Sequence, residues 1–120
     1  MIRALACLVA LLMPTVLSAQ EETETATGVV LRGLDKISGS VVDITLPAGR
    51  TVQFNRLNIT LTECRYPAGN PSGNAYAGLQ ITEIGREGVV FSGWMIASAP
   101  ALSALEHARY DVWVLRCTTS

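Results

Sequence analysis

From Val29 onward the chain is a series of short apolar segments separated by Gly, Pro and Asn, and this punctuation restricts the fold more than any other feature. Such interruptions leave no room for a long helix, but they suit strands of about 4–8 residues bounded by turns. "VVLRGL" reads as a strand, "DKISGS" as a turn, and "VVDITL" as a second strand with Val42, Ile44 and Leu46 on one face. "PAGR" turns the chain again, because proline presets the first corner and glycine permits a positive φ. "TVQF" and "LNITL" follow, joined by Asn55 and Arg56. Continued alternation from Leu57, Ile59 and Leu61 would place Glu63 inside, whereas Cys64 and Tyr66 make the better buried pair. One extra residue at Thr62 or Glu63, a β-bulge, restores the pattern.

Beyond the bulge, "PAGNPSGN" is the longest loop, and "YAGLQITEI" with "GVVFSGWMIA" forms a hairpin turned at "GREG". Residues 100–106 are the one helical candidate: Ser98 or Ala99 can cap it, Pro100 sits in its first turn, and Leu102 and Leu105 fall on one face. "YDVWVL" is a final strand, apolar on both faces and therefore expected in the middle of a sheet. The fold class expected is all-β, a small antiparallel β-sandwich or barrel of about seven strands with one short helix.

The first nineteen residues, "MIRALACLVALLMPTVLSA", set one positive charge, Arg3, before an apolar run over residues 4–13 and then a cluster of small residues. The run is shorter than the roughly 20 residues a bilayer demands, so the layout predicts a secretory signal peptide cleaved after Ala19, with Ser18 as the alternative. The expected organisation is a signal over 1–19, a disordered polar leader over 20–27 and a single all-β domain over 28–120. No later segment is long and apolar enough to anchor the mature protein. It is expected in the periplasm, with no stable membrane anchor after signal cleavage.

Of 9 basic and 10 acidic residues, only Arg3 falls in the signal, so the mature chain carries two more acidic than basic charges. Its basic residues are scattered and form no stripe, which argues against nucleic acid or an anionic membrane surface as partner. Cys7 leaves with the signal, so Cys64 and Cys117 remain. In an oxidising compartment the pair reads as a disulfide rather than as two free thiols. Closing a loop of about 53 residues would restrict the unfolded chain by about 4 kcal/mol, a large share of the stability of so small a core.

The residues able to carry chemistry gather between Phe91 and Cys117. His107 is the natural suspect because an imidazole is the commonest metal ligand, but a metal site needs three or four ligands and the only other soft donors are the two cysteines. It is expected to end the short helix and bond its last carbonyls. Glu106, His107 and Asp111 surround the junction of helix and strand and form a possible functional corner. With a serine there they could make a hydrolytic arrangement, although no G-x-S-x-G elbow occurs. Strand alternation puts Asp111 on the side of Trp113, Leu115 and Cys117, where it would need turn amides or an arginine such as Arg109 or Arg32 as partner. Trp94 and Trp113 sit in apolar strands and are expected to be buried; exposure of either would mark a binding surface. There is no phosphate loop, no G-x-G-x-x-G and no cysteine-pair metal spacing, so no cofactor and no metal are expected.

The segments "LRGLDKISGS", "LNITLTEC" and "FSGWMIASAPALSALEHARYDVWVLRC" together resemble domain of unknown function family 2155, a group of small exported alphaproteobacterial proteins. The resemblance runs from about Val29 to Cys117. It implies an envelope location and two cysteines at Cys64 and Cys117, and it brings no catalytic residues. Members often carry proline after the histidine, where this chain has Ala108. The function expected is a non-enzymatic domain that binds or helps assemble an envelope component, an unidentified envelope protein or polymer. The alternatives are a small envelope hydrolase using His107 with Asp111 or Glu106, and a carbohydrate- or peptidoglycan-binding module using Trp94 or Trp113.

Overall fold

A computed structural model describes residues 21–120; the expected signal peptide, with Arg3 and Cys7, lies outside the described residues. Eight strands form: β1 (Thr23–Thr25), β2 (Gly28–Asp35), β3 (Val41–Pro47), β4 (Thr51–Phe54), β5 (Leu57–Pro67), β6 (Tyr76–Glu83), β7 (Val89–Ile96) and β8 (Tyr110–Thr118). All pairings are antiparallel. One sheet runs β1-β5-β6-β7, with β4 also paired to β5, and the other runs β3-β2-β8. Strand β5 is long enough to hold two neighbours on one edge: β4 pairs with its first four residues and β1 with its last three.

The two sheets bury one core between them. Leu57, Ile59, Leu61 and Cys64 of β5 and Ala77, Leu79 and Ile81 of β6 face Val29 and Leu31 of β2 and Tyr110, Val112, Val114 and Cys117 of β8. The inward row of β5 is out of step by one residue after Leu61, because Thr62 is an unpaired extra residue between the Leu61–Leu79 and Glu63–Gly78 pairs. This is the bulge the alternation calls for, and it turns Cys64 inward.

A second bulge lies in β8, which the alternation does not reveal. Val30 pairs with Arg116 and Leu31 with Val114, so Leu115 is the extra residue. It turns Cys117 inward together with Tyr110, Val112 and Val114, and sends Asp111 and Trp113 to the other side of the strand. The expectation that Asp111 shares a face with Cys117 is therefore corrected. The two cysteines form a disulfide with Cα atoms 5.8 Å apart, joining β5 of one sheet to β8 of the other.

Three further expectations change. No short helix forms: after β7 the chain makes turns, with one Leu102 N–H bond to the Ala99 carbonyl, and then runs irregularly to β8. Leu105 is buried at 4% exposure whereas Leu102 is 78% exposed, so the two do not share an anchored face. Two helical turns held by one side chain lack the packing that a short helix needs. Strand β8 lies at the edge of its sheet, and β2 is the central strand. The acidic leader also contains structure, since β1 docks on β5 through Arg65. That side chain donates from Nε to Thr23 Oγ1 (2.7 Å), from Nη1 to Thr25 Oγ1 (2.9 Å) and from Nη2 to the Thr23 carbonyl (3.1 Å).

Close packing at one glycine links the core to the end of the sandwich where β8 begins. A Cβ on Gly33 would stand 2.8 Å from Phe54 Cζ, so the Phe54 ring lies directly on the β2 backbone. Its ring then meets Tyr110 edge-on, with centroids 5.7 Å apart at 67°.

Two measurements test this account. Urea unfolding of a Cys64→Ser/Cys117→Ser protein should show a stability loss of about 4 kcal/mol, and the native protein denatured without reductant should bind no thiol reagent at Cys64 or Cys117. Gly33→Val should cost about 1–3 kcal/mol as an overpacking change, because Phe54 must leave Tyr110 to make room.

Candidate functional site

His107 and its surroundings come first, because the lone histidine is the obvious reactive group. Its ring is 9% exposed and hydrogen-bonded at both nitrogens. Nδ1 accepts from the backbone N–H of Arg109 (3.0 Å) and of Tyr110 (3.1 Å). Since Nδ1 is an acceptor, the proton of the neutral ring sits on Nε2, which donates to Glu83 Oε2 at 3.1 Å. The ring also packs on Tyr110, with centroids 5.0 Å apart. His107 thus orders the entry to β8 and ties it to the end of β6, instead of capping a helix.

Beside it lies a second polar knot. Asp35 is 5% exposed and closes the β2–β3 turn, accepting at Oδ1 from the N–H of Ile37 (3.0 Å) and more distantly of Ser38 (3.4 Å). Arg109 reaches it with Nη2 3.1 Å from Oδ2, and its guanidinium lies 5.3 Å from the centre of the Tyr110 ring. Lys36 Nζ donates to the His107 carbonyl at 2.9 Å. Of the three residues expected to make a corner, His107 bonds Glu83 and neither Glu106 nor Asp111. Glu106 is exposed, and Asp111 is half-buried, bordering a cleft of about 350 Å³ with Pro100, Ala101, Ala104, Val112 and Trp113.

These contacts shift their carboxylates. The His107 hydrogen bond, with a smaller contribution from Arg86, holds Glu83 below its ordinary value. Asp35 is held down by Arg109 and by the Ile37 and Ser38 amides. On the outer face of the β3-β2-β8 sheet, Arg32 does the same for Asp43 through contacts of 2.8 and 3.2 Å.

The outer face of the β1-β5-β6-β7 sheet differs in character. Trp94 is 44% exposed, against the expectation of burial for an indole in an apolar strand, whereas Trp113 is half-buried. Trp94 pairs with Gly78 across β6 and β7. A Cβ added at Gly78 would stand 3.6 Å from Cη2 and Cζ3 of the indole, so the six-membered end of the ring lies over the glycine.

The glycine serves that contact and one more, since a Cβ there would also collide with Thr62 Oγ1, which donates to the Gly78 carbonyl at 2.9 Å. Trp94 opens onto a shallow cleft of about 360 Å³, lined with Tyr76, Arg65, Thr23 and Glu21. Tyr76 donates its hydroxyl proton to Glu21 Oε2 at 3.2 Å. Glu63 lies 3.4 Å from Arg65.

Sequence reasoning names Trp94 but misses Glu21, Thr23, Arg65, Tyr76 and Gly78, and at the corner it misses Glu83 and Asp35. The available signal was the pair of Gly78 in a strand and Trp94 in the next one. An outward glycine in a central strand is commonly covered by an aromatic ring from its neighbour. Among the described residues no group of three or more His, Cys, Asp or Glu could hold a metal ion, and no helix is long and apolar enough to cross a membrane.

Lowering the pH should weaken the corner before the core. Glu83, Asp35 and Asp43 all have depressed values in the fold, so the stability they add is complete above their ordinary values of 4.5 for Glu and 3.8 for Asp and is lost as pH falls through the folded values. The melting temperature should drop steeply with acid in this range. In Glu83→Gln it should start lower at neutral pH and fall less.

Comparison with known proteins places the chain in a family. The family described as "Uncharacterized protein conserved in bacteria (DUF2155)" matches residues 29–117. "Uncharacterized protein RP359" of Rickettsia prowazekii (strain Madrid E) is 30% identical over 87 residues, which is 70% of this chain and 56% of that protein. The chain thus spans little more than half the length of this relative. No solved structure matches. With the family match covering most of its length, the chain belongs to the DUF2155 family.

Proposed function

Starting from membership of that family, we propose that this chain is a non-enzymatic binding domain of the periplasm that engages, or helps assemble, an envelope component through the outer face around Trp94. The observation that carries this reading is the exposed indole itself. A large aromatic ring lies out on a sheet face, over a glycine that leaves space for it, and opens onto a cleft of charged and hydroxyl-bearing side chains. Burying such a ring against a partner removes a large apolar area from water, which makes exposed tryptophans frequent binding anchors. Export is supported by the charge, apolar run and small residues read in the first nineteen positions.

A hydrolase built on His107 would need a ring nitrogen free to take a proton from a nucleophile or water. Nδ1 is held by two backbone amides and Nε2 by Glu83, so that chemistry would first have to break the β8 entry. No observation favours this second reading over the first.

The test is made in cells, in a strain whose chromosomal copy is deleted and complemented. A photoreactive residue placed at Gln80 or Ser92, both exposed and on the Trp94 side of the sheet, should give reproducible crosslinks to an envelope component, and Trp94→Ala should abolish them together with complementation. Recovery of uncrosslinked monomer alone, or full complementation by Trp94→Ala, would overturn the proposal. His107→Asn should lower the melting temperature yet still complement at reduced growth temperature, where a catalytic histidine would leave no function.

A further inference from the structure

We infer that the Trp94 cleft is a sugar site that takes the flat face of a pyranose ring in a β-linked, gluco-configured glycan chain. The inference rests on the binding-domain reading above and names its ligand class. Its first support is the posture of the indole. One end of the ring lies over Gly78, so the side chain forms a shelf along the sheet and not a knob standing out from it. A shelf suits a ligand that is itself flat and apolar on one side.

A gluco-configured pyranose meets that requirement. Its ring substituents are equatorial, so its two faces present axial C–H bonds, whose positive hydrogens complement the negative face of the indole. The polar groups of such a sugar then point sideways, toward whatever surrounds the aromatic ring. Here the surroundings supply partners of both kinds. Glu21 spends Oε2 on Tyr76 and has a second carboxylate oxygen able to accept from sugar hydroxyls. Thr23 Oγ1 accepts from Arg65, so its own proton is available to a ligand oxygen. The Arg65 guanidinium, a third exposed, is fixed at three of its nitrogens by Thr23 and Thr25; binding would cost little further side-chain ordering.

The size and composition of the surface favour a glycan over a protein partner. A cleft of about 360 Å³ is at the small-molecule scale, where sites run from roughly 300 to 1,000 Å³. The strand positions beyond it on the same face are largely polar: Thr62, Gln80, Thr82 and Ser92 offer hydroxyls and an amide that a chain of sugars can bond in succession, with Val89 and Ile96 as the apolar exceptions. A protein interface would be expected to build an apolar centre around its anchor; here the apolar neighbours are a half-buried Ile96 and an exposed Val89 that Gln80 and Ser92 separate from Trp94.

The probes are chitotetraose and cellotetraose, titrated into the mature protein while NMR follows the two indole N–H signals. The Trp94 signal should move saturably, with a dissociation constant of about 1 mM or tighter for at least one probe, while the Trp113 signal stays in place. Trp94→Ala should weaken binding at least tenfold by calorimetry, and Tyr76→Phe, which frees Glu21 but keeps the ring, should change it less.

Absence of a saturable shift with both probes would overturn the inference. So would a Trp94→Ala protein of unchanged melting temperature that binds like the native one. If neither glycan binds but Trp94→Ala still abolishes crosslinking and complementation in cells, the sugar assignment falls and the binding-domain reading stands. Failure of the reading itself shows as full complementation by Trp94→Ala.

Discussion

The fold depends on two single-residue insertions, Thr62 in β5 and Leu115 in β8. Each sits between an inward aliphatic residue and an inward cysteine: Leu61 and Cys64 in one strand, Val114 and Cys117 in the other. With strict alternation both cysteines would point away from the core, and a bond between the sheets would be impossible. The bulges re-aim both side chains at once, and every inward residue before them keeps its place. Core packing and covalent closure are therefore compatible only because both strands slip by one residue at the same level of the sandwich. A β-bulge in this setting is a functional part of the strand and no defect in it.

That dependence explains which parts of the fold were legible. Seven strands are marked by turn residues, and the bulge near Thr62 is betrayed by an otherwise buried Glu63. The bulge at Leu115 gives no such sign, because "VWVL" is apolar at every position and accepts either register. The errors about Asp111 and Trp113 follow from this one ambiguity, as does the placement of an apolar strand at the centre of a sheet whose edge it occupies. Strand β1 was illegible for another reason: "TET" has no apolar period, and what holds it is Arg65, more than forty residues later. The expected helix failed because its two leucines are not anchored together, and local pattern cannot report which of them the core will accept.

The same logic separates the two candidate sites. His107 drew attention by its chemistry, yet in the fold it works as a backbone organiser, with both nitrogens committed. Trp94 was expected inside because its strand is apolar, but β7 is an edge strand and carries a bulge at Val90. A hairpin closed on "GREG" without that bulge would set Gly78 opposite Gly93. With it, Gly78 meets Trp94, and the indole finds the one position on β6 where it can lie down. The glycine and the tryptophan are each unremarked in sequence; their register gives them meaning.

The sandwich is joined differently at its two ends. Along β8, Cys117 and Tyr110 are seven residues apart, which is roughly 23 Å of extended strand. At the first end the sheets are sewn by a covalent bond. At the second they are latched by Glu83 with His107, while Asp35 and Arg109 tie neighbouring strands. A bond that ignores pH at one end and ions that answer to it at the other make the pair of sheets a hinged book. Acid therefore loosens the margin held by Glu83 and Asp35 while it leaves the covalent spine untouched.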